Sequence, residues 1–262
     1  SMQALGWMPG ARGGAMSNSA AILAKVVYGS LATRAAPGAA SASSARSTTM
    51  ADVSVPPPKE SKTPDRRIGT TSIAVAVTEA VGGTSGAFAW LVPALVTDEG
   101  AVLPQSIAIM EYLEELHPSP ALLPSTPLAR ARVRALAQMV ACEIHPLNNP
   151  RVLKYLTGTL HADEDAKNAW YHHWVRQGLE AFERQLALLA AERQAQGLAP
   201  SVYCWGDTPT LADCCLVPQI FNGKRFGVNL DGLPLTMAAF DACMALPAFA
   251  QAQPSACPDN AP

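Results

Sequence analysis

The stretch that most constrains this chain runs over residues 91–117, LVPALVTDEGAVLPQSIAIMEYLEELH. Residues 91–96 form a short apolar run rich in branched side chains. Asp98-Glu99-Gly100 is a turn signal, and residues 101–103 resume as a second apolar run, so the spacing predicts a β-hairpin. Ile107, Met110, Leu113 and Leu116 then recur at three-residue steps, with Glu111, Glu114 and Glu115 between them. That is the period of an amphipathic helix whose first turn holds Gln105 and Ser106. Pro93 removes one ladder hydrogen bond from the first strand. A cis bond between Val92 and Pro93 would leave the backbone of Val92 free to pair outside the sheet. The Gln105 amide, the Ser106 hydroxyl and the free N–H groups of a helix N-terminus make a ready carboxylate site. Read from these residues alone, an ordinary edge hairpin with Ser106 as the helix cap is an equal alternative.

The chain around this unit has room for a core. Its 262 residues suit one large or two small domains, and 49% are hydrophobic against 15% charged. A net charge of −2 and the lack of a basic stripe with interleaved aromatics argue against a nucleic-acid partner. No apolar run approaches the ~18 residues that span a bilayer. The six cysteines (Cys142, Cys204, Cys214, Cys215, Cys243 and Cys257) lie late and irregularly, which suits a reducing compartment rather than a disulfide framework. Cys214-Cys215 is adjacent rather than CxxC and is read neither as a redox pair nor as a zinc site. Cys142 and His145 could share a helix face as ligands, but no further ligands accompany them, and no metal is expected.

The first third has a different character. Ser1-Met2 reads as a tag remnant, and up to Met50 there is no Asp or Glu, while Arg12, Lys25, Arg34 and Arg46 are scattered among Ala, Ser and Gly. An acid-poor, Arg- and Ser-bearing composition fits either a transit segment or plain disorder over residues 1–50. Met50 is a candidate internal start. Residues 54–67 are Pro- and charge-rich linker, and residues 71–81 would make one strand or a short helix before Gly82 and Gly86 break it. We treat residues 51–90 as a linker or atypical segment.

From Thr126 onward the pattern is helical. Thr126 is a natural cap with Pro127 at the first helical position. Val133, Leu136, Ala137, Val140, Ala141 and Ile144 form one apolar stripe, with Arg130, Arg132 and Arg134 off it. The stripe runs into His145-Pro146-Leu147-Asn148-Asn149-Pro150-Arg151. Polar side chains placed there cost stability unless they pair locally or face a ligand. Asp163, Glu164 and Asp165 complement the dipole of the next helix, along which Trp170, Trp174, Gly178, Phe182, Leu186 and Leu189 step by three or four. His172-His173 points in two directions around that helix and is read as solvated surface. In WGDTPTLAD, residues 205–213, Thr210 is an N-cap and Asp213 its capping-box partner. Leu216, Ile220 and Phe221 continue the buried face, and Pro218 is expected to kink it. Lys224 and Arg225 close this helix, where a cation ordinarily just complements the dipole.

These motifs together (VPAL, QS, IAIMEYLEELHPSPALLP, IHPLNN with VLKYL, and GDTPTLAD) resemble the zeta-class glutathione transferases, the maleylacetoacetate isomerases, over residues 91–254. The resemblance implies an α+β two-domain glutathione-transferase fold. Residues 91–120 would be the second half of a thioredoxin-like α/β domain, residues 125–254 an all-α helical bundle, and residues 255–262 a frayed tail. It implies glutathione as cofactor, bound by Val92 at the cysteinyl backbone, by Gln105 and Ser106 at the γ-glutamyl carboxylate, and by Asn148 and Asn149. Arg225 would take a substrate carboxylate, with His145 and Arg151 near the same cleft. The implied reaction is glutathione-dependent isomerisation of maleylacetoacetate to fumarylacetoacetate in tyrosine catabolism, by a homodimer in the cytoplasm, or in a mitochondrion or plastid if residues 1–50 are a transit peptide. A maleylpyruvate isomerase or general glutathione transferase is the related alternative, and an inactive GST-like binding protein the other.

One departure from the family is plain. The Ser-Ser-Cys run that opens the family's first helix, where a serine favours the nucleophilic thiolate, has no counterpart, since no cysteine precedes Cys142. Nothing over residues 51–90 reads as the expected β-α-β-α unit. Either the amino-terminal sequence is misread or the activating half is lost, and we expect the former. No catalytic residue is assigned.

Overall fold

The computed structural model describes residues 94–97 and 100–253. The expectations for residues 1–93, Val92 and the Val92–Pro93 bond among them, lie outside the described residues, as do Asp98, Glu99 and the tail from Pro254.

Strand β1 (Ala94–Val96) pairs antiparallel with β2 (Val102–Pro104), Leu95 opposite Leu103. The turn between them closes through Gly100, whose N–H bonds the Thr97 carbonyl at 2.9 Å. Its φ of 82° is one that only glycine adopts without cost. The predicted hairpin is thus observed.

Helix α1 (Ser106–Leu116) follows directly and buries Ile109, Met110, Leu113 and Glu114. Two positions depart from the simple stripe. Leu116 is 44% exposed, whereas Glu114 is only 6% exposed. Glu114 is drawn inward because its carboxylate accepts the backbone N–H groups of Leu122 at 2.9 Å and Leu123 at 3.0 Å. Those donors sit in the segment that leads to the helical bundle, so a buried carboxylate fastens the hairpin unit to the rest of the chain.

Helix α2 (Pro127–Gln138) starts as expected, with the Thr126 hydroxyl accepting from Ala129 N and Pro127 at N1. The single helix predicted to continue through Ile144 is interrupted. Residues Met139–Ile144 form a π-helical turn, in which the His145 N–H reaches back five residues to the Val140 carbonyl. Pro146 has no N–H to offer the Cys142 carbonyl, and the chain widens in the turn before it. Val140 and Ile144 still face the core.

Short helices α3 (His145–Asn148) and α4 (Pro150–Gly158) follow, the second capped by Asn149. The long helix α5 (Glu164–Ala195) is capped by Asp163, which accepts from Ala166 N at 2.8 Å. Its buried face is Tyr171, Val175, Leu179, Phe182, Leu186 and Leu189. The stripe expected from the sequence begins one residue early: Trp170 and Trp174 flank the core rather than fill it, stacking edge-on at 5.6 Å.

Helix α6 (Leu211–Arg225) is the core element, with nearly every residue from Leu211 to Gly223 buried. Pro218 lies inside it. Asp213 is fully buried and accepts from Thr210 N and Thr210 Oγ1, both at 2.8 Å, and from Cys204 N at 2.9 Å. The predicted capping box is therefore present, extended by a tie to the preceding loop. Helices α7 (Pro234–Met244) and α8 (Pro247–Gln251) complete the bundle. Cys204, Cys214, Cys215 and Cys243 are buried free thiols and Cys142 is exposed. Among the described residues no helix is long and apolar enough to cross a membrane.

Candidate active site

Two regions gather the sequence-predicted residues. The first is the start of α1. Gln105 occupies the N-cap position with φ 75°, and its side chain caps nothing. Ser106 is the first residue inside the helix rather than its cap, so the alternative assignment of Ser106 as a capping residue is overturned. The first turn carries no acidic residue. No acidic side chain of that turn and no side-chain cap therefore offsets its free amides and the positive end of the dipole. A non-glycine residue at positive φ costs on the order of 1–3 kcal/mol and persists where the surroundings demand it.

The second region is the polar turn of α3 and its neighbours. Asn148 is buried, and its Nδ2 donates to Gln219 Oε1 of α6 at 3.3 Å. Asn149 spends its carbonyl oxygen on Arg151 N at 3.1 Å as the cap of α4, which leaves its Nδ2 facing His145 Nε2 at 3.4 Å. With Nε2 accepting, the neutral ring carries its proton on Nδ1. That Nδ1 is buried without a hydrogen-bond partner among the described residues, and so is Gln219 Nε2. Burial pushes the His145 pKa down to about 4; the neighbouring Asn148 side chain opposes the shift, and the positive charge of Arg151 adds to it. The imidazole is thus a neutral hydrogen-bonding group near neutral pH.

Arg151 and Arg225 are both exposed. Arg134, Arg132 and Arg176 are engaged with Glu111, Glu192 and Glu180, respectively. Neither Arg151 nor Arg225 has a carboxylate partner among the described residues. Arg225 is the last residue of α6, its guanidinium 5.7 Å from the centroid of the Phe226 ring.

Helix α5 holds these parts together. Trp170 Nε1 donates to the Leu147 carbonyl of α3 at 2.8 Å. The Tyr171 ring packs on Phe226 at 4.5 Å, and burial raises its phenol pKa while the Arg225 charge opposes the shift. His172 Nε2 lies 2.7 Å from the Phe226 carbonyl and must donate to it. The sequence reads His172 as solvated surface. It is exposed, but it is bonded to the end of α6.

Sequence reasoning misses Gln219, Trp170 and Tyr171. The signal for Gln219 is a lone amide in the run LADCCLVPQIF, where nearly every neighbour is small or apolar. The apolar groove lined by Leu186, Leu189, Tyr203, Cys204 and Leu235 contains none of these residues. Among the described residues no group of three or more His, Cys, Asp or Glu is arranged to hold a metal.

No protein-family model matches the chain. It is 52% identical over 172 residues to a maleylpyruvate isomerase of a Ralstonia species, covering 65% of this chain and 76% of that protein. A maleylacetoacetate isomerase of Pseudomonas aeruginosa is 49% identical over 169 residues, covering 64% and 74%. Among solved structures, it is similar to holo maleylpyruvate isomerase, described as a bacterial zeta-class glutathione S-transferase, at a TM-score of 0.59 and 50% identity, covering 65% of this chain and 76% of that one. It is also similar to maleylacetoacetate isomerase of Methylobacterium extorquens with bound malonate and glutathione, at a TM-score of 0.56 and 33% identity, covering 65% and 76%.

Proposed function

Because the chain belongs to the zeta-class glutathione transferases, the family of the maleylacetoacetate and maleylpyruvate isomerases, we propose that it catalyses glutathione-dependent cis–trans isomerisation of maleylacetoacetate to fumarylacetoacetate. In this reading residues 91–120 are the second half of a thioredoxin-like domain, residues 125–254 are the all-α domain, and the protein is a homodimer.

The residues present fit the cofactor at its γ-glutamyl end. A carboxylate placed at the start of α1 would meet the Ser106 hydroxyl, the Gln105 amide and the free amides of a first turn that carries no acidic residue. Val92 and the Asn148–Asn149 pair complete the proposed glutathione contacts. Glutathione, when bound, supplies the nucleophilic thiol through which a cis double bond is isomerised.

What remains for the chain itself is to hold a dianionic substrate. Arg225 does so in this reading, as an exposed guanidinium without an ion-pair partner among the described residues, fixed at the end of the most buried helix. A guanidinium meets a carboxylate bidentately. Arg151 offers a second cation. His145, held neutral by burial, adds a hydrogen-bonding group without a competing charge. We name no residue as the activator of the thiol.

The test is isomerisation of maleylacetone by the 262-residue chain with and without glutathione. Glutathione-dependent turnover above the uncatalysed rate is expected, and Arg225→Ala should lower kcat/KM by roughly 10- to 100-fold, the loss of a charge-assisted pair worth ~1.5–3 kcal/mol. No turnover under either condition overturns the assignment for this polypeptide. The 52% identity to the Ralstonia protein favours maleylpyruvate as a second substrate, and the ratio of kcat/KM for the two compounds decides between them.

A further inference from the structure

Three consecutive residues of α5 touch both halves of the candidate substrate site. The Trp170 indole donates to the Leu147 carbonyl in the turn that carries His145 and Asn149. Tyr171, 3% exposed, lays its ring on Phe226. His172 bonds the Phe226 carbonyl at 2.7 Å. Phe226 is the C-cap of α6, the residue after Arg225, and its own N–H returns to Asn222 at 3.0 Å.

The three contacts differ in what else they do. Trp170 and Tyr171 contribute packing, so the fold alone would explain them. His172 is exposed and adds little to the core. Its hydrogen bond reaches a carbonyl 54 positions away in sequence, at the end of the helix that carries Arg225. The end of α6 is closed by the amides of Phe226, Gly227 and Val228 on the carbonyls of Asn222, Lys224 and Gly223 and by the Tyr171 ring on Phe226. The last carbonyls of a helix nevertheless have no partner within it, and His172 is what holds that of Phe226, next to Arg225. Water can satisfy an exposed carbonyl, so stability alone does not require the imidazole there.

We propose that His172 is a positioning residue for Arg225: its hydrogen bond to the Phe226 carbonyl fixes the end of α6, and so the placement of the guanidinium that receives the substrate carboxylate. The inference rests on the assignment of Arg225 made above. His172 touches neither substrate nor glutathione in this scheme. Its contribution is to settle the cation's position before binding, which lowers the ordering cost of association.

The experiment compares the full chain with His172→Leu, His172→Gln and Arg225→Ala, using glutathione and then malonate added to the glutathione complex. Hydrogen exchange at the amides of Phe226 and Val228 reports the end of α6 directly, whether or not the protein turns over. In His172→Leu, exchange at those amides should rise, malonate affinity should fall about fivefold or more, and glutathione affinity should stay within twofold. His172→Gln, which keeps a donor, should restore both properties substantially. Faster exchange with unchanged malonate affinity would overturn the positioning role, as would unchanged exchange and affinity in His172→Leu. Equal loss in the Leu and Gln variants would overturn the hydrogen bond as its basis. If the unaltered chain binds malonate no better than Arg225→Ala does, the assignment of Arg225 itself fails and takes the inference with it. That result is distinguishable, because it appears before His172 is altered.

Discussion

Gly178 of α5 lies so close to Ile144 that a Cβ built on it would sit 2.4 Å from the Ile144 Cγ1 and 2.9 Å from Cδ1. Ile144 is 1% exposed and belongs to the π-helical turn that immediately precedes His145. The glycine thus lets the long helix approach the turn on which the candidate site is built.

Gly178→Ala sets two effects in opposition. Replacing glycine inside a helix gains ~1 kcal/mol of propensity. Overpacking a filled core costs ~1–3 kcal/mol, and here the atoms in the way belong to a side chain that is 1% exposed. The clash should win. We expect a net loss of ~1–2 kcal/mol, read as a lower urea midpoint with an unchanged m-value. Ile144→Ala in the same chain removes both contacting atoms and should relieve the clash, whereas Ile144→Val removes only Cδ1, keeps the γ carbon at 2.4 Å and should relieve little of it.

His145 makes stability depend on pH in a defined direction. Its pKa is about 4 in the folded chain against 6.5 ordinarily. Above pH 6.5 both states hold a neutral ring and the group contributes nothing. As pH falls from 6.5 to 4, the unfolded state takes up a proton that the folded state refuses, so stability drops, by at most ~3 kcal/mol over the interval. Below pH 4 the penalty is constant. Urea midpoints of the unaltered chain and His145→Gln at pH 7, 5.5 and 4.5 isolate the effect. The variant should lose less stability than the parent across that range, and parallel decline would show that the ring is solvated.

Asp213 and Thr210 separate a folding role from an ordinary cap. The carboxylate holds two backbone N–H groups, one hydroxyl and the Cys243 thiol in a fully buried position. Asp213→Ala would strand the buried donors of Cys204 and Thr210, each worth ~1–3 kcal/mol, so a loss of roughly 3–5 kcal/mol is expected. Thr210→Val removes the hydroxyl that donates to the Asp213 carboxylate and accepts from the helix backbone in the capping box, and should cost ~1 kcal/mol. Equilibrium unfolding of both variants checks the ratio, and comparable costs would show that the carboxylate does no more than the hydroxyl.

This contrast marks what is legible in the sequence. The capping box, the Thr126 cap, the acidic start of α5 and the hairpin are readable because each depends on residues within a few positions of one another. What cannot be read depends on contacts between distant segments. Glu114 reads as one of three solvent-facing acids until the amides of Leu122 and Leu123 are seen to reach it. Trp170 and Trp174 read as core because large apolar residues at helical spacing do, yet one lies beside the polar turn and donates to it. The site divides in the same way. The resemblance supplies Gln105, Ser106, Asn148, Asn149, His145, Arg151 and Arg225, while Gln219 and His172 emerge only once α5 and α6 are seen against them.

Gln105 offers a case in which stability and binding should move in opposite directions. At φ 75° it sits in backbone space that side-chain-bearing residues avoid, and its side chain caps nothing. Gln105→Gly removes the local penalty of ~1–3 kcal/mol but adds freedom to the unfolded chain worth ~0.5–1 kcal/mol. A net gain of up to ~1–2 kcal/mol should appear as a higher urea midpoint. If the strain is held in order to present the amide at the helix start, the same substitution should weaken glutathione binding severalfold, by the loss of one hydrogen bond worth ~0.5–1.5 kcal/mol. Calorimetric titration with glutathione measures the second effect. Gln105→Ala is the control, since it keeps the strain and removes only the amide. It should lose affinity by a similar factor without the gain in stability. A glycine variant that is more stable and binds glutathione as before would show that the strained conformation serves the hairpin-to-helix connection and not the ligand.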